Sequence, residues 1–198
     1  MYLKIKRALD FTLSLVALVA LSPVMGILAL IVKLTSPGPV LFTQKRVGIH
    51  KRYFTIYKFR TMRTDAPKDK ATHLLKNAKS YITPVGRFLR KSSLDELPQL
   101  VNIIRGDMAI VGPRPALYNQ YDLIAERDKY GANDVLPGLT GLAQVDGRDE
   151  LPIKEKAKRD GYYCQNISFA LDVKLIARTF LSVIRFKGVV EGAREDKR

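Results

Sequence analysis

Two adjacent carboxylates, Asp95 and Glu96, occupy the run Ser93-Leu94-Asp95-Glu96-Leu97-Pro98-Gln99-Leu100, with Arg87, Arg90 and Lys91 just before it and Arg105 and Arg114 after. The 198-residue chain carries 34 Lys and Arg against 19 Asp and Glu, a formal net charge of +15. Acids in such surroundings are either consumed in ion pairs or directed at a ligand that the cations also bind. A carboxylate so placed can attack an electrophile, hold a hard divalent cation or carry a proton. The simpler reading of the octapeptide alone is a helix start. Ser93-x-x-Glu96 has capping-box spacing, the macrodipole favours acids there, and a helix would follow through Leu97, Leu100, Val101, Ile103 and Ile104 with Pro98 in its first turn.

Other cations are placed where they could join the acids. In Tyr53-Phe54-Thr55-Ile56-Tyr57-Lys58-Phe59-Arg60-Thr61-Met62, a run rich in aromatic and β-branched residues that reads as a strand, Lys58 and Arg60 share a face by period two. Such a pair suits a phosphate, or merely a solvated strand face. Pro113-Arg114-Pro115 follows a short apolar run, and the flanking prolines restrict the backbone that presents the planar guanidinium. A second glycine-punctuated loop, Pro137-Gly138-Leu139-Thr140-Gly141 onward, ends at Gly147-Arg148. The chain has no Walker loop and no strand-linked GxGxxG, so motors and dinucleotide enzymes have no support. With one cysteine, Cys164, and two histidines, His50 and His73, it has no intramolecular disulfide and is a poor candidate for zinc. Any metal would be a hard cation on carboxylate and phosphate oxygens.

Stepping outward, residues 11–32 carry no charge and would form a helix of about 33 Å, enough to cross a hydrocarbon core. Pro23 cannot donate to the Val19 carbonyl, which predicts a kink or break at Ser22-Pro23, and the Ser22 hydroxyl could satisfy a carbonyl so freed. Basic residues flank the segment on both sides: Lys4, Lys6 and Arg7 before it, Lys33, Lys45 and Arg46 after it. A single crossing cannot put both flanks in the cytoplasm; a re-entrant hairpin can. Ser36-Pro37-Gly38-Pro39 is a stop, followed by a strand at 40–44 and a turn at 45–48. Residues 64–79 read as a polar loop or short helix. A basic amphipathic helix is expected from Pro84 with Val85, Phe88 and Leu89 at helical spacing, of the kind that lies on anionic lipid. A late helix carries Phe169, Val173, Ile176, Phe180 and Ile184 on one stripe, facing either the core or a membrane. The resulting fold class is a helix-rich α/β (α+β) protein. Its expected parts are a membrane segment at 1–35, a cytoplasmic catalytic domain at 36–187 and a polar tail at 188–198.

The ordered set of these motifs resembles the bacterial sugar transferase family, small monotopic phosphoglycosyl transferases that act on polyprenol phosphate. The resemblance runs from Lys6-Arg7-x-x-Asp10 to near Phe186 and includes Gly106-Asp107-Met108. It implies that Asp95 attacks the β-phosphorus of a UDP-sugar, that UMP leaves, and that polyprenol phosphate takes the sugar-phosphate from Asp95. It further implies Mg²⁺ held by Asp95 and Glu96, with Glu96 serving either as a ligand to that ion or in handling a proton. Phosphate and uridine contacts would come from Lys58, Arg60, Arg90, Pro113, Arg114, Pro115 and Arg148, and a helix re-entering at Ser22-Pro23 would sit on the cytoplasmic face of the inner membrane. Direct transfer in a ternary complex is the alternative within the enzyme class. A membrane-tethered nucleic-acid binder would share the charge but has no use for the acidic pair, so no nucleic-acid partner is expected. The sugar is not encoded in any motif, and the sequence leaves room for a homo-oligomer.

Overall fold

The structure is a computed structural model, and it describes residues 2–67, 69, 75, 77–147 and 151–184. Helix α1, Tyr2–Thr35, is long and apolar enough to cross a membrane. It is helical on both sides of Pro23 with no interrupting residue, so the broken helix expected there is corrected to a continuous one. The Ser22 hydroxyl donates to the Val19 carbonyl at 2.8 Å, serving the acceptor that Pro23 cannot reach.

Both halves of α1 rest on the rest of the protein. Arg7 donates to the carbonyls of Ile103 and Ile104 at 2.6 and 3.0 Å, near the C-terminal end of α4 (Gln99–Arg105), where a cation meets unpaired carbonyls. Ala17 and Leu18 pack on Ile56, Leu100, Ile103 and Met108, while Leu28 and Val32 form a second core with Phe59 and Leu89. Val16, Val19, Ile27 and Leu30 remain exposed, an apolar surface with no protein partner.

Strands β1 (Leu41–Val47) and β2 (Tyr53–Phe59) form an antiparallel hairpin in register from Leu41↔Phe59 to Val47↔Tyr53. The turn predicted at 45–48 lies farther on, where Gly48 donates to Arg52 and both His50 and Lys51 take positive φ. The hairpin is fixed to α4 by Asn102, fully buried, which accepts from the Tyr57 amide at 3.1 Å and donates to the Thr55 carbonyl at 2.8 Å. After the one-turn helix α2 (Ala78–Tyr81), helix α3 (Pro84–Lys91) begins as expected, with Thr83 capping the Gly86 amide. Gly86 lies against Thr61, whose carbonyl oxygen would be 2.0 Å from an added Cβ, so α3 can approach the end of the hairpin only with glycine there.

The second glycine loop of the sequence is in fact structured. β4 (Gly138–Thr140) pairs in parallel with β3 (Ala109–Val111), and α6 (Leu142–Asp146) follows. The two backbones cross so closely at Gly112 and Gly138 that a Cβ on Gly138 would sit 2.1 Å from the Gly112 nitrogen. Helices α5 (Tyr121–Asp128), α7 (Ile153–Gln165) and α8 (Phe169–Ile184) are the remaining helices among the described residues. Asp172 on α8 joins three elements: Tyr2 donates to it at 2.7 Å, Lys6 pairs with it at 2.8 Å, and the Tyr163 hydroxyl lies 2.7 Å away and 3.0 Å from the Val111 carbonyl. Of the late stripe, Phe169, Val173, Ile176 and Phe180 face outward while Leu175 and Asp172 face the core, so core packing is excluded for those four residues. The fold is thus a helix-rich mixture of α and β with two small sheets. The proposed tail at 188–198 lies outside the described residues.

Candidate active site

The acidic pair sits on a single 3-10 turn, Leu94–Glu96, between α3 and α4. Ser93 enters it with φ 58°, and its side chain caps nothing; the Glu96 amide bonds the Ser93 carbonyl instead, at 3.2 Å. The capping box read from the sequence is therefore not formed, and α4 starts only at Gln99 with Pro98 ahead of it. Side-chain cations explain the difference. Glu96 Oε1 accepts from Lys58 at 2.7 Å and from Arg114 at 3.1 Å, and two charge-assisted contacts outcompete one backbone amide.

Asp95 is treated differently. It is 8% exposed, yet among the described residues its carboxylate accepts no hydrogen bond and makes no ion pair. It faces a cavity of about 730 Å³ whose wall also includes Lys58, Arg90, Glu96 and Arg114. Burial pushes Asp95 up to about 6, with Lys58 opposing the rise and Glu96 adding to it. For Glu96 burial also acts upward, but Lys58 and Arg114 more than reverse it, and its carboxyl lies well below the usual range. Burial lowers Lys58 against the pull of Glu96. Two neighbouring acids thus have separated acidities: Glu96 is an anion locked between cations, and Asp95 is a less acidic carboxylate open to the cavity.

The remaining predicted site residues fall into three groups. Arg90 approaches Asp95 closely enough to favour its ionised form, and its Nε donates to Thr61 Oγ1 at 2.8 Å. Arg114 is held at the exit of β3, between Pro113, whose carbonyl accepts from Gly138, and Pro115, whose carbonyl accepts from Arg46 at 2.9 Å. Arg60 also lines the cavity, but it is buried and its guanidinium donates to the Ser36 carbonyl at 2.7 Å and to the Pro37 carbonyl, so it also staples the turn leaving α1. Arg148 lies outside the described residues.

Sequence reasoning counted Arg46 as a membrane flank and missed its place in the site. It lines the cavity, and by period two it shares the strand face of Phe42 and Gln44; Phe42 pairs with Lys58 across the hairpin. That alternation was the available signal. Gln99 was also passed over; it is buried beside Arg46, Lys58 and Arg114.

As a metal site, the pair offers hard oxygen donors. Asp95 is uncommitted and Glu96 carries both of its contacts on one oxygen, while among the described residues no cluster of three metal-ligating side chains stands nearby. One or two carboxylates completed by substrate phosphates is the usual environment of Mg²⁺, so the donor set fits that ion.

Comparison with known proteins agrees with the family resemblance. The model of the bacterial sugar transferase family matches residues 1–186. The sugar transferase EpsL of Bacillus subtilis (strain 168), itself described as uncharacterized, is 38% identical over 93% of this chain and 90% of its own length. The exopolysaccharide production protein PSS of Rhizobium leguminosarum bv. phaseoli is 39% identical over 95% of this chain and 100% of its own. The UDP-glucose:undecaprenyl-phosphate glucose-1-phosphate transferase of Escherichia coli (strain K12) is 41% identical over 96% of this chain but only 41% of its own length, so this chain spans less than half of that larger relative. With nearly the whole length matched, the chain belongs to the bacterial sugar transferase family.

Proposed function

We propose that this protein transfers a sugar-1-phosphate from a UDP-sugar to undecaprenyl phosphate or a related polyprenol phosphate, releasing UMP, by a two-step route through Asp95. The observation that carries this reading is the unequal treatment of the two acids: Glu96 is consumed by Lys58 and Arg114, while Asp95 is buried, uncommitted and open to the cavity. A nucleophile needs that freedom. An Asp95 oxygen attacks the β-phosphorus, the bond from that phosphorus to the oxygen bridging the α-phosphate breaks, and UMP departs with the electron pair. A phosphate oxygen of the polyprenol phosphate then attacks the phosphorus of the adduct, breaking its bond to Asp95 and restoring the carboxylate.

Arg90 and Arg114, with Lys58 behind them, face the charge that develops on the phosphates, and the burial of the site strengthens each contact. Glu96 holds Lys58 and Arg114 in place for that task. Asp95 and Glu96 are the residues that would hold Mg²⁺, which when bound would neutralise charge on the leaving group. We place the site at the cytoplasmic face of the bacterial inner membrane, with α1, unbroken at Pro23, entering and leaving on that one face as a single bent helix rather than as a hairpin of two. The basic flanks on both sides of the apolar segment support that placement, as do the packing of both halves of α1 on one domain and its outward apolar residues. The basic surface favours anionic lipid.

The test is to incubate the purified full-length protein with a panel of labelled UDP-sugars and no acceptor. A burst of UMP with the labelled sugar-phosphate retained on a peptide containing Asp95 is expected, and Asp95→Asn should retain none. UMP release only when polyprenol phosphate is present, with no adduct at any time, would replace the two-step route by direct transfer. No UMP from any UDP-sugar would remove the enzyme reading itself.

A further inference from the structure

The reaction cavity has a wall that the chemistry at Asp95 does not use. Ile176, Phe180 and Val183 of α8 line it, joined by Leu139 of β4. Phe180 is 67% exposed and Ile176 41%, so these side chains are neither core nor sealed in the cavity interior. They continue the outward apolar stripe that begins at Phe169 and Val173, two residues absent from the cavity wall. One helix face therefore runs from the open surface into the chamber that holds Asp95. Its position is fixed from behind: Leu175 is fully buried, Asp172 is tied to Tyr2, Lys6 and Tyr163, and Thr179 Oγ1 lies 2.6 Å from Thr140 Oγ1.

On the reading of function given above, we propose that this ramp is the binding site for the isoprenoid chain of the acceptor, with Ile176 and Phe180 as its principal contacts. The argument is one of continuity and of polarity. An acceptor that reacts at Asp95 must bring a phosphate to the cations and trail a long hydrocarbon out of the same chamber. The wall around Asp95 is cationic, with Lys58, Arg90 and Arg114, and suits phosphate; elsewhere the wall includes Lys156 and Arg127, the latter matched by Asp160 at 2.6 Å, while Ile176, Phe180, Val183 and Leu139 form its apolar stretch, which continues to the outer face of α8. Exposed aromatic and aliphatic side chains leading into a reaction chamber give a hydrocarbon tail a place to leave water next to the point where its headgroup reacts.

The experiment separates the two half-reactions in detergent micelles, using the full-length protein and undecaprenyl phosphate. The double variant Ile176→Ser/Phe180→Ser should raise the KM for undecaprenyl phosphate about tenfold, the loss expected for removing two partly buried apolar contacts. Its acceptor-free burst of UMP should keep the wild-type amplitude. The variant Phe169→Ser/Val173→Ser, on the same stripe but off the cavity wall, should leave that KM within about twofold. An equal rise in both variants would overturn the proposal in favour of general contact with the lipid or detergent phase, and no rise in either would place the chain elsewhere. A wild-type protein that gives no UMP burst but does turn over with acceptor would overturn the two-step route while leaving the KM comparison to decide the ramp. One that releases no UMP under any condition would take both readings down.

Discussion

Arg127 and Asp160 join α5 to α7 through a 2.6 Å ion pair whose side chains are 4% and 1% exposed. Around Asp95 and Glu96 the molecule buries charge as well, but differently. In the first place one cation meets one anion, and both side chains are almost wholly buried although Arg127 borders the cavity. In the second, Glu96 answers to both Lys58 and Arg114, and Asp95 answers to neither through a direct contact. A balanced, buried pair has nothing left to offer a ligand; it fixes two helices relative to each other and costs desolvation that the attraction offsets only in part, as the upward shift of Asp160 by burial despite Arg127 indicates. An unbalanced cluster with excess cation and a spare carboxylate is incomplete until an anionic electrophile arrives. Buried charge of similar depth can therefore be sorted into structure and chemistry by counting partners.

The largest effect expected from that distinction is on Asp95. Asp95→Asn should lower UMP release by about a thousandfold or more, as loss of a nucleophile does, with no fall in the melting temperature, because no contact depends on the charge and burial disfavours it. A melting temperature lowered by several degrees would show that Asp95 holds the fold. Next, Asp160→Leu should destabilise by about 3–5 kcal/mol by stranding Arg127, measured by denaturant titration, whereas Arg127→Met/Asp160→Leu should recover most of that loss and keep its UMP burst. A double variant as unstable as the single one would mean that the pair does more than fill space.

Much of this arrangement was readable from the residues. The apolar segment, the helix at Pro84 and the late amphipathic helix follow from period, proline placement and charge, whereas the grouping of Lys58, Arg90 and Arg114 with the acids was implied by the family resemblance. The capping box failed because a local pattern was overruled by partners distant in sequence: Lys58 lies 38 residues from Glu96 and Arg114 lies 18. The backbone contacts of Arg60 were hidden for a related reason. Period two gives the face of a strand but not the reach of a long side chain, and Arg60 bends to the turn after α1. Gly138 to Asp146 looked like a loop because its glycines are punctuation in sequence; in the structure they permit one backbone to cross another. Asp172 and Asp160 carried no local signal, since their partners are brought in by tertiary packing alone.

Glu96 is where the comparison can be sharpened. If its work is to hold Lys58 and Arg114, Glu96→Gln should lower the rate of the UMP burst about a hundredfold by loosening those cations, while the adduct still forms on Asp95. The smallest effect is the most discriminating. Burial raises Asp95 to about 6, so its ionised, nucleophilic fraction falls as the pH drops through that value, and the burst rate should have an acid limb there. Glu96 is a like charge that adds to the rise, and it also engages Lys58 and Arg114, which favour the Asp95 anion. Its removal acts in one direction on both counts: the limb of Glu96→Gln should move to lower pH. Lys58→Met removes an opposite charge and should move it to higher pH. Rates too low to follow after Lys58→Met still leave the Glu96→Gln limb as the deciding measurement. A limb that stays fixed, or rises, would mean that the ionisation seen is not that of Asp95, and the division of labour between the two acids would have to be redrawn.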